Sequence, residues 1–291
     1  MANSAAAGFD IDIEEVEYLR HGDRPLMARI FKPRASGPFP AIIEVHGGAW
    51  NLMDRTADDA VNAPLAKSGV VVAALDFRMP PLAPYPASLA DINYGIRWFK
   101  AHAGNFGASP DRVGLMGSSS GGHQVMVTAM RPDDPRYCAL AFPSGAPPVD
   151  AAVRCVVMLW PVIDPLARYR FVKQLREAGK PYPDFVDLLI KMHDRYWKGE
   201  ETMAEGNPAL ALKRGERMVL PPALYIQGTK DIVHPRADLD QFVDNYRKAG
   251  GHLELEMVEG EAEGFIIRRP SSESAIRAIG KIVNFVHEQM R

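Results

Sequence analysis

Apolar and polar positions alternate at the start of the chain and then stop alternating. EEVEYLR and PLMARIFKP carry a two-residue period on either side of His21-Gly22-Asp23-Arg24, which predicts an antiparallel hairpin. Beyond Pro40 the pattern changes to short, nearly continuous apolar runs: AIIEV, VVVAAL, RVGLMG, CVVMLW, ALYIQG and LELEMV. Runs of this kind, rich in β-branched residues, suit strands buried on both faces of a parallel sheet. Helical spacing separates them. From Ser88 to Ala101 the apolar residues Leu89, Ile92, Ile96 and Phe99 share one face, and Gly122 to Met130, Arg236 to Ala249 and Glu273 to Gln289 read in the same way. Strands alternating with helices predict an α/β fold, with a mostly parallel, eight-stranded, doubly wound sheet. Leu166 to Arg217 interrupts the alternation with aromatic and charged residues and no strand pattern. We expect a single domain over residues 1–291, with a helical cap over about 165–217 and a contribution to it from residues 1–40.

Composition narrows the partners. Hydrophobic residues make up 47% and charged residues 24% of the 291, a globular balance, and the formal charge is −2. A chain this close to neutral offers no basic field for nucleic acid or an anionic membrane surface, so a small-molecule partner is expected. The opening MANSAAAGFDID has neither the basic nor the apolar region of a signal peptide, and no apolar run reaches the ~18 residues of a membrane span. A cytoplasmic location is the expectation.

Two glycine-rich motifs follow buried runs. Gly117-Ser118-Ser119-Ser120-Gly121-Gly122 comes after RVGLM and opens a helical pattern, the setting that gives G-x-S-x-G its meaning as a nucleophile elbow. A serine on so sharp a turn needs flanking glycines, and the helix start favours negative charge on a reacting carbonyl oxygen. Ser119 is therefore the expected nucleophile. Upstream, His46-Gly47-Gly48-Ala49-Trp50 follows AIIEV, and its bare backbone can approach a ligand closely. The N–H groups of Gly47, Gly48 and Ser120 are the expected oxyanion hole.

With these motifs the chain resembles the bacterial hormone-sensitive-lipase-like esterases, the acetylesterase-type branch of the α/β-hydrolase superfamily. The likeness runs from about Pro40 to the C-terminus through HGGAW, the segment from Asp76 to Gly122, and QGTKDIVHP. It implies a carboxylesterase acting on small acyl esters, with a serine nucleophile, an HGG oxyanion loop and no cofactor or metal. A homodimer through an edge strand or the last helix would be in keeping with that family.

Asp231, in the loop after ALYI, matches the family's acid. The family's histidine belongs in a G-x-x-H-x-F pattern after the last strand, where this chain reads Gly260-Glu261-Ala262-Glu263-Gly264-Phe265. Glu263 thus stands in the histidine's place, and a Ser119, Asp231, Glu263 site is expected. An ordinary glutamate titrates near ~4.3 against ~6.5 for histidine, a weaker base at neutral pH unless a neighbouring carboxylate raises it. His234, three residues after Asp231, is a second candidate for the base.

Three functions follow from these residues: an ester hydrolase, a lyase, dehydratase or cyclase that uses the carboxylates in the same pocket, and a small-ligand binding protein. Plant members of the wider family provide precedents for the second and third. His46, Trp50 and Trp197 are expected to line the substrate pocket. Arg168, Arg170 and Lys173 read either as a landing site for an anion or as a solvated helix face.

Overall fold

The structure is a computed structural model and describes residues 8–142 and 148–291. Most of the opening segment inspected for a leader lies outside them. Eight strands form one sheet: β1 (Ile11–His21), β2 (Arg24–Pro33), β3 (Phe39–Val45), β4 (Val71–Leu75), β5 (Ala108–Ser118), β6 (Val156–Leu159), β7 (Ala223–Gly228) and β8 (Leu253–Val258). They lie in the order β1-β2-β4-β3-β5-β6-β7-β8. β1 and β2 pair antiparallel, β2 joins β4 antiparallel, and every later pairing is parallel. The hairpin read from the alternating pattern is therefore the antiparallel edge of the sheet. Residues 11–33 belong to the sheet and do not join the helical layer, because their two-residue period buries one side of a strand and leaves the other wet.

The helices are α1 (Asp59–Lys67), α2 (Ala87–His102), α3 (Ser120–Met130), α4 (Pro165–Glu177), α5 (Phe185–Tyr196), α6 (Glu200–Glu205), α7 (Pro208–Lys213), α8 (Arg236–Lys248), α9 (Phe265–Arg268) and α10 (Glu273–Gln289). Successive residues of the inner strands point to opposite sides. Ile43, Val45, Met158 and Tyr225 face a core shared with α2, α3 and α8, whereas Ile42, Val157, Leu159 and Ile226 face one shared with α1 and α10. This double covering is why the strands read as apolar runs.

α4 to α7 occupy the stretch without strand pattern. Val172, Val186, Leu189 and Ile190 of α4 and α5 form a small apolar cluster that packs on Ala49 and Val233. The helices therefore rest on the oxyanion loop and on the loop carrying Asp231. A hydrogen bond of 3.0 Å from Asn51 Nδ2 to the Met192 carbonyl ties the first of these loops to α5.

Candidate active site

Ser119 stands between β5 and α3 with φ 49° and ψ −115°, a left-handed backbone that side chains rarely adopt. Its neighbours hold it there. Ser119 N–H donates to the Leu159 carbonyl at 2.8 Å, and its own carbonyl accepts from Val162 at 3.0 Å and His123 at 3.2 Å. The glycines have steric reasons. A Cβ on Gly121 would lie 1.9 Å from the Val45 carbonyl oxygen, and one on Gly117 would lie 2.6 Å from the backbone of Gly121. The serine is half-buried, and so remains open to a reactant.

Gly47 runs alongside the elbow: a Cβ there would meet Ser118 Oγ at 3.1 Å and Ser119 Cβ at 3.4 Å. Gly48 has φ +90°, and a Cβ would strike the Leu52 carbonyl oxygen at 2.2 Å. Trp50 N–H donates to Ser120 Oγ at 3.0 Å and so fastens this loop to the first turn of α3. The N–H of Ser120, at the first position of α3, has no intrahelical acceptor, as the geometry of a helix start requires. The backbone of Gly47 and the first turn of α3 thus lie against Ser119.

The base position differs from expectation. Asp231 Oδ1 accepts the backbone N–H of Val233 at 2.8 Å and of His234 at 3.0 Å, an Asx turn that curls the chain back on itself. The curl brings His234 Nδ1 to 2.9 Å from Asp231 Oδ2. His234 Nε2 then lies 3.4 Å from Ser119 Oγ, long for a hydrogen bond but of the looseness seen where no substrate is bound. Gln227 Nε2 donates to the His234 carbonyl at 3.0 Å and Pro235 leads into α8, which fixes the ring from below. A carboxylate can only accept, so Nδ1 carries the proton and Nε2 presents its lone pair to the serine. Burial alone would raise the Asp231 carboxyl; the charge and hydrogen bonds of His234 outweigh it and hold the group below the usual carboxylate range.

Glu263 is engaged elsewhere. Its carboxylate is paired with the Arg268 guanidinium, and among the described residues it makes no hydrogen bond to Ser119, His234 or Asp231. The left-handed turn at Gly264 leads into α9 and sets Arg268 beside it. Glu263 keeps a small electrostatic influence: burial chiefly raises the Asp58 carboxyl and Glu263 adds to it, while burial lowers the Arg168 guanidinium and Glu263 partly opposes that. The G-x-x-H-x-F register points to the right segment, but the local ion pair takes the carboxylate.

The expected pocket residues are packed away. Trp50 is fully buried, stacked on Tyr196 at 5.2 Å between centroids, with Trp197 edge-on at 5.5 Å. His46 is buried and stacked on Phe77 at 4.4 Å. His123, with its pKa pushed down to about 4 by burial, joins Trp50 Nε1 to the Gly206 carbonyl. Trp50, His123, Tyr196 and Trp197 thus form a buried aromatic layer joining the loop after β3 and α3 to the end of α5.

Arg168 is the site residue that the sequence presents only as one option among three cations. It lies on the buried face of α4 with Val172, its guanidinium 5.3 Å above the Trp50 ring and its Nη1 3.3 Å from His234 Nε2. Arg170 points out to Glu200, and Lys173 lies over the Tyr169 ring. Helical spacing separates the three, since Arg168 stands four residues before Val172 and seven before Leu175, both in the small apolar cluster. Among the described residues no group of three or more His, Cys, Asp or Glu could hold a metal ion, and no helix is long and apolar enough to cross a membrane.

A strained serine between a central parallel strand and the helix that follows is what an α/β-hydrolase sheet presents at its carboxyl edge, and this chain has that fold. The BD-FAE family model matches residues 29–244, and the chain belongs to that family. Among curated relatives, the carboxylic ester hydrolase LipN of Mycobacterium tuberculosis is 34% identical over 248 residues, which are 82% of this chain and 60% of LipN. The esterase LipC of the same organism is 28% identical over 264 residues, 88% of this chain and 60% of LipC. The chain thus spans about 60% of the length of these relatives. The hyperthermophilic esterase from Pyrobaculum calidifontis superposes with a TM-score of 0.74 at 22% identity, covering 94% of this chain and 85% of that one. The carboxylesterase EstE1, cloned from a metagenomic library, gives 0.77 at 19% identity, covering 97% and 91%. At these identities the structures share the fold.

Proposed function

We propose that this chain is a serine carboxylic ester hydrolase whose base is His234, with Asp231 as the acid that orients it and Ser119 as the nucleophile. The observation that carries this reading is the His234 ring held between Asp231 Oδ2 and Ser119 Oγ. Ser119 Oγ attacks the ester carbonyl carbon and its proton passes to His234 Nε2. Asp231 stabilises the imidazolium so formed, and the N–H groups of Gly47, Gly48 and Ser120 hold the oxyanion. The carbon–oxygen bond to the alcohol then breaks, and Nε2 returns the proton to the departing oxygen. Water, activated by the same nitrogen, releases the acid from Ser119. LipN and LipC, described as ester hydrolases, support the reaction class. A base facing the serine also favours hydrolysis over the carboxylate-driven eliminations and the non-catalytic binding that a Glu263 site suggested.

Hydrolysis of short p-nitrophenyl esters separates the two candidate bases. Ser119→Ala and His234→Ala are each expected to lower kcat/KM by about 10³-fold or more. Glu263→Gln removes one partly exposed ion pair and is expected to stay within about fivefold of the parent. Full activity in His234→Ala together with loss in Glu263→Gln would return the base to the carboxylate.

A further inference from the structure

Among the described residues the guanidinium of Arg168 has no anionic partner. The residue is 1% exposed, yet among the described residues its Nε and Nη2 have no hydrogen-bond acceptor, and no acid approaches it within the 4.0 Å of an ion pair. Asp164, at the start of α4, spends Oδ1 on the Ala167 N–H and on Asn207 Nδ2. Asp231 is committed to His234. Asp238 lines the same small cavity as Arg168 and His234, about 10 Å³ and so the size of one water, and its carboxyl is pushed up to about 7 by burial and the charge of Asp164. A water there supplies hydrogen bonds but no counter-charge. A buried cation in this condition is expensive unless something negative arrives. Burial pulls the guanidinium itself down to about 9, against the pull of Asp231, Glu263 and Asp238 in the other direction.

Among the described residues the guanidinium of Arg168 makes one hydrogen bond, and it is informative. Nη1 lies 3.3 Å from His234 Nε2, the atom that also faces Ser119 Oγ. A neutral imidazole has one lone pair on that nitrogen, so two donors compete for it. While Arg168 takes it, the base is partly occupied. An anion that draws the guanidinium towards itself frees the base for the serine.

We propose that Arg168 anchors a carboxylate carried on the alcohol portion of the substrate, so that the preferred esters are O-acylated hydroxy acids. This rests on the hydrolase reading of Ser119 and His234. The side follows from the contact: Nε2 hands its proton to the leaving oxygen, so a group touching Nε2 lies by the departing alcohol and not by the acyl chain. The planar fork of arginine matches a carboxylate through two parallel N–H bonds, and Nε and Nη2 are the pair left free.

The test compares release of the phenol from 3-acetoxybenzoate and from its neutral methyl ester by the whole chain and by Arg168→Met. The parent is expected to favour the carboxylate ester in kcat/KM by about 30-fold or more, and the ratio to collapse towards one in Arg168→Met. Equal rates in the parent, or a preference that survives in Arg168→Met, would overturn the proposal. A preference found only for carboxylates on the acyl side, with mono-p-nitrophenyl glutarate, would do so too. Because Arg168 is buried, calorimetry on the unaltered chain provides a second arm: 3-hydroxybenzoate is expected to bind at least about tenfold tighter than methyl 3-hydroxybenzoate. Equal binding counts against the site whether or not the variant folds. Ser119-dependent turnover of the neutral ester without carboxylate preference defeats this inference alone. Absence of Ser119-dependent turnover on both esters defeats the hydrolase reading, and calorimetry still decides the anion site.

Discussion

Asp231 serves three donors with two oxygens: the N–H groups of Val233 and His234 on Oδ1, and the imidazole on Oδ2. Asp231→Asn replaces one oxygen by a donor, so the amide can satisfy the turn or the ring but not both. We expect its kcat to fall by about 10³- to 10⁴-fold, as when an acid fixes the wrong histidine tautomer. The depressed carboxyl gives a thermodynamic readout as well. The folded pKa lies below the unfolded one, so the stability it contributes is complete above the ordinary carboxylate range and is lost as pH falls through the folded value. Thermal midpoints of parent and Asp231→Asn should therefore differ at about pH 6 and converge below about pH 4. At this scale the sequence was only partly legible. Ser119 and Asp231 follow from strand-turn contexts that motifs capture. The nearness of His234 to Ser119 comes from the direction of one Asx turn, which D-x-x-H spacing permits without specifying. Arg168 stood in a run of three cations, and its spacing to Val172 and Leu175 was the one signal that set it on the buried face of α4.

The elements around the elbow explain which glycines are replaceable. Gly121 sits where α3 crosses the end of β3. A methyl group there would stand 1.9 and 2.5 Å from the carbonyl oxygens of Val45 and His46, and helix and strand cannot separate without opening the core. Gly121→Ala is expected to destabilise the fold by about 3 kcal/mol or more, read as loss of the denaturation midpoint or of soluble expression. Gly280, within α10, would place a Cβ with nothing inside 4 Å. Gly280→Ala is expected to stabilise by about 0.5–1 kcal/mol in the same urea titration. Element boundaries were largely readable: the pattern over Glu273–Gln289 is α10 itself, and Arg236 to Ala249 is α8 with one residue more. α1 carried no comparable signal, because Pro64 and two acids near its start mask its short apolar face of Val61 and Leu65.

For the molecule as a whole, a buried acid pair beneath the elbow ties stability to pH. Glu44, fully buried on the central strand β3, is pushed well above its usual pKa by burial and by neighbouring Asp58, whose own carboxyl is raised by burial. Glu44 is therefore a carboxyl that resists ionisation in the folded chain. A group with a raised folded pKa contributes stability that is present below its unfolded value, near ~4.3, and is lost as pH rises through the folded one. Thermal midpoints of the parent should decline as pH rises above about 5, and Glu44→Gln, which has no proton to lose, should show a shallower decline. The apolar runs foretold the sheet around this pair, but not the pair: a lone glutamate inside AIIEV gives no hint of a partner that lies beyond the oxyanion loop, at the start of α1.

β8 is the outermost strand of the parallel side, and only its first residue, Leu253, is fully buried. A hydrolase whose proton acceptor hangs beyond that strand loses its chemistry each time the margin frays. On the proposed mechanism acceptor and acid, His234 and Asp231, ride on one turn after β7, an interior strand, so the margin can open and close while these groups keep their spacing. Warming should then show two clocks: amide exchange in Leu253–Val258 accelerating first, and turnover failing only when β7 and α8 come apart.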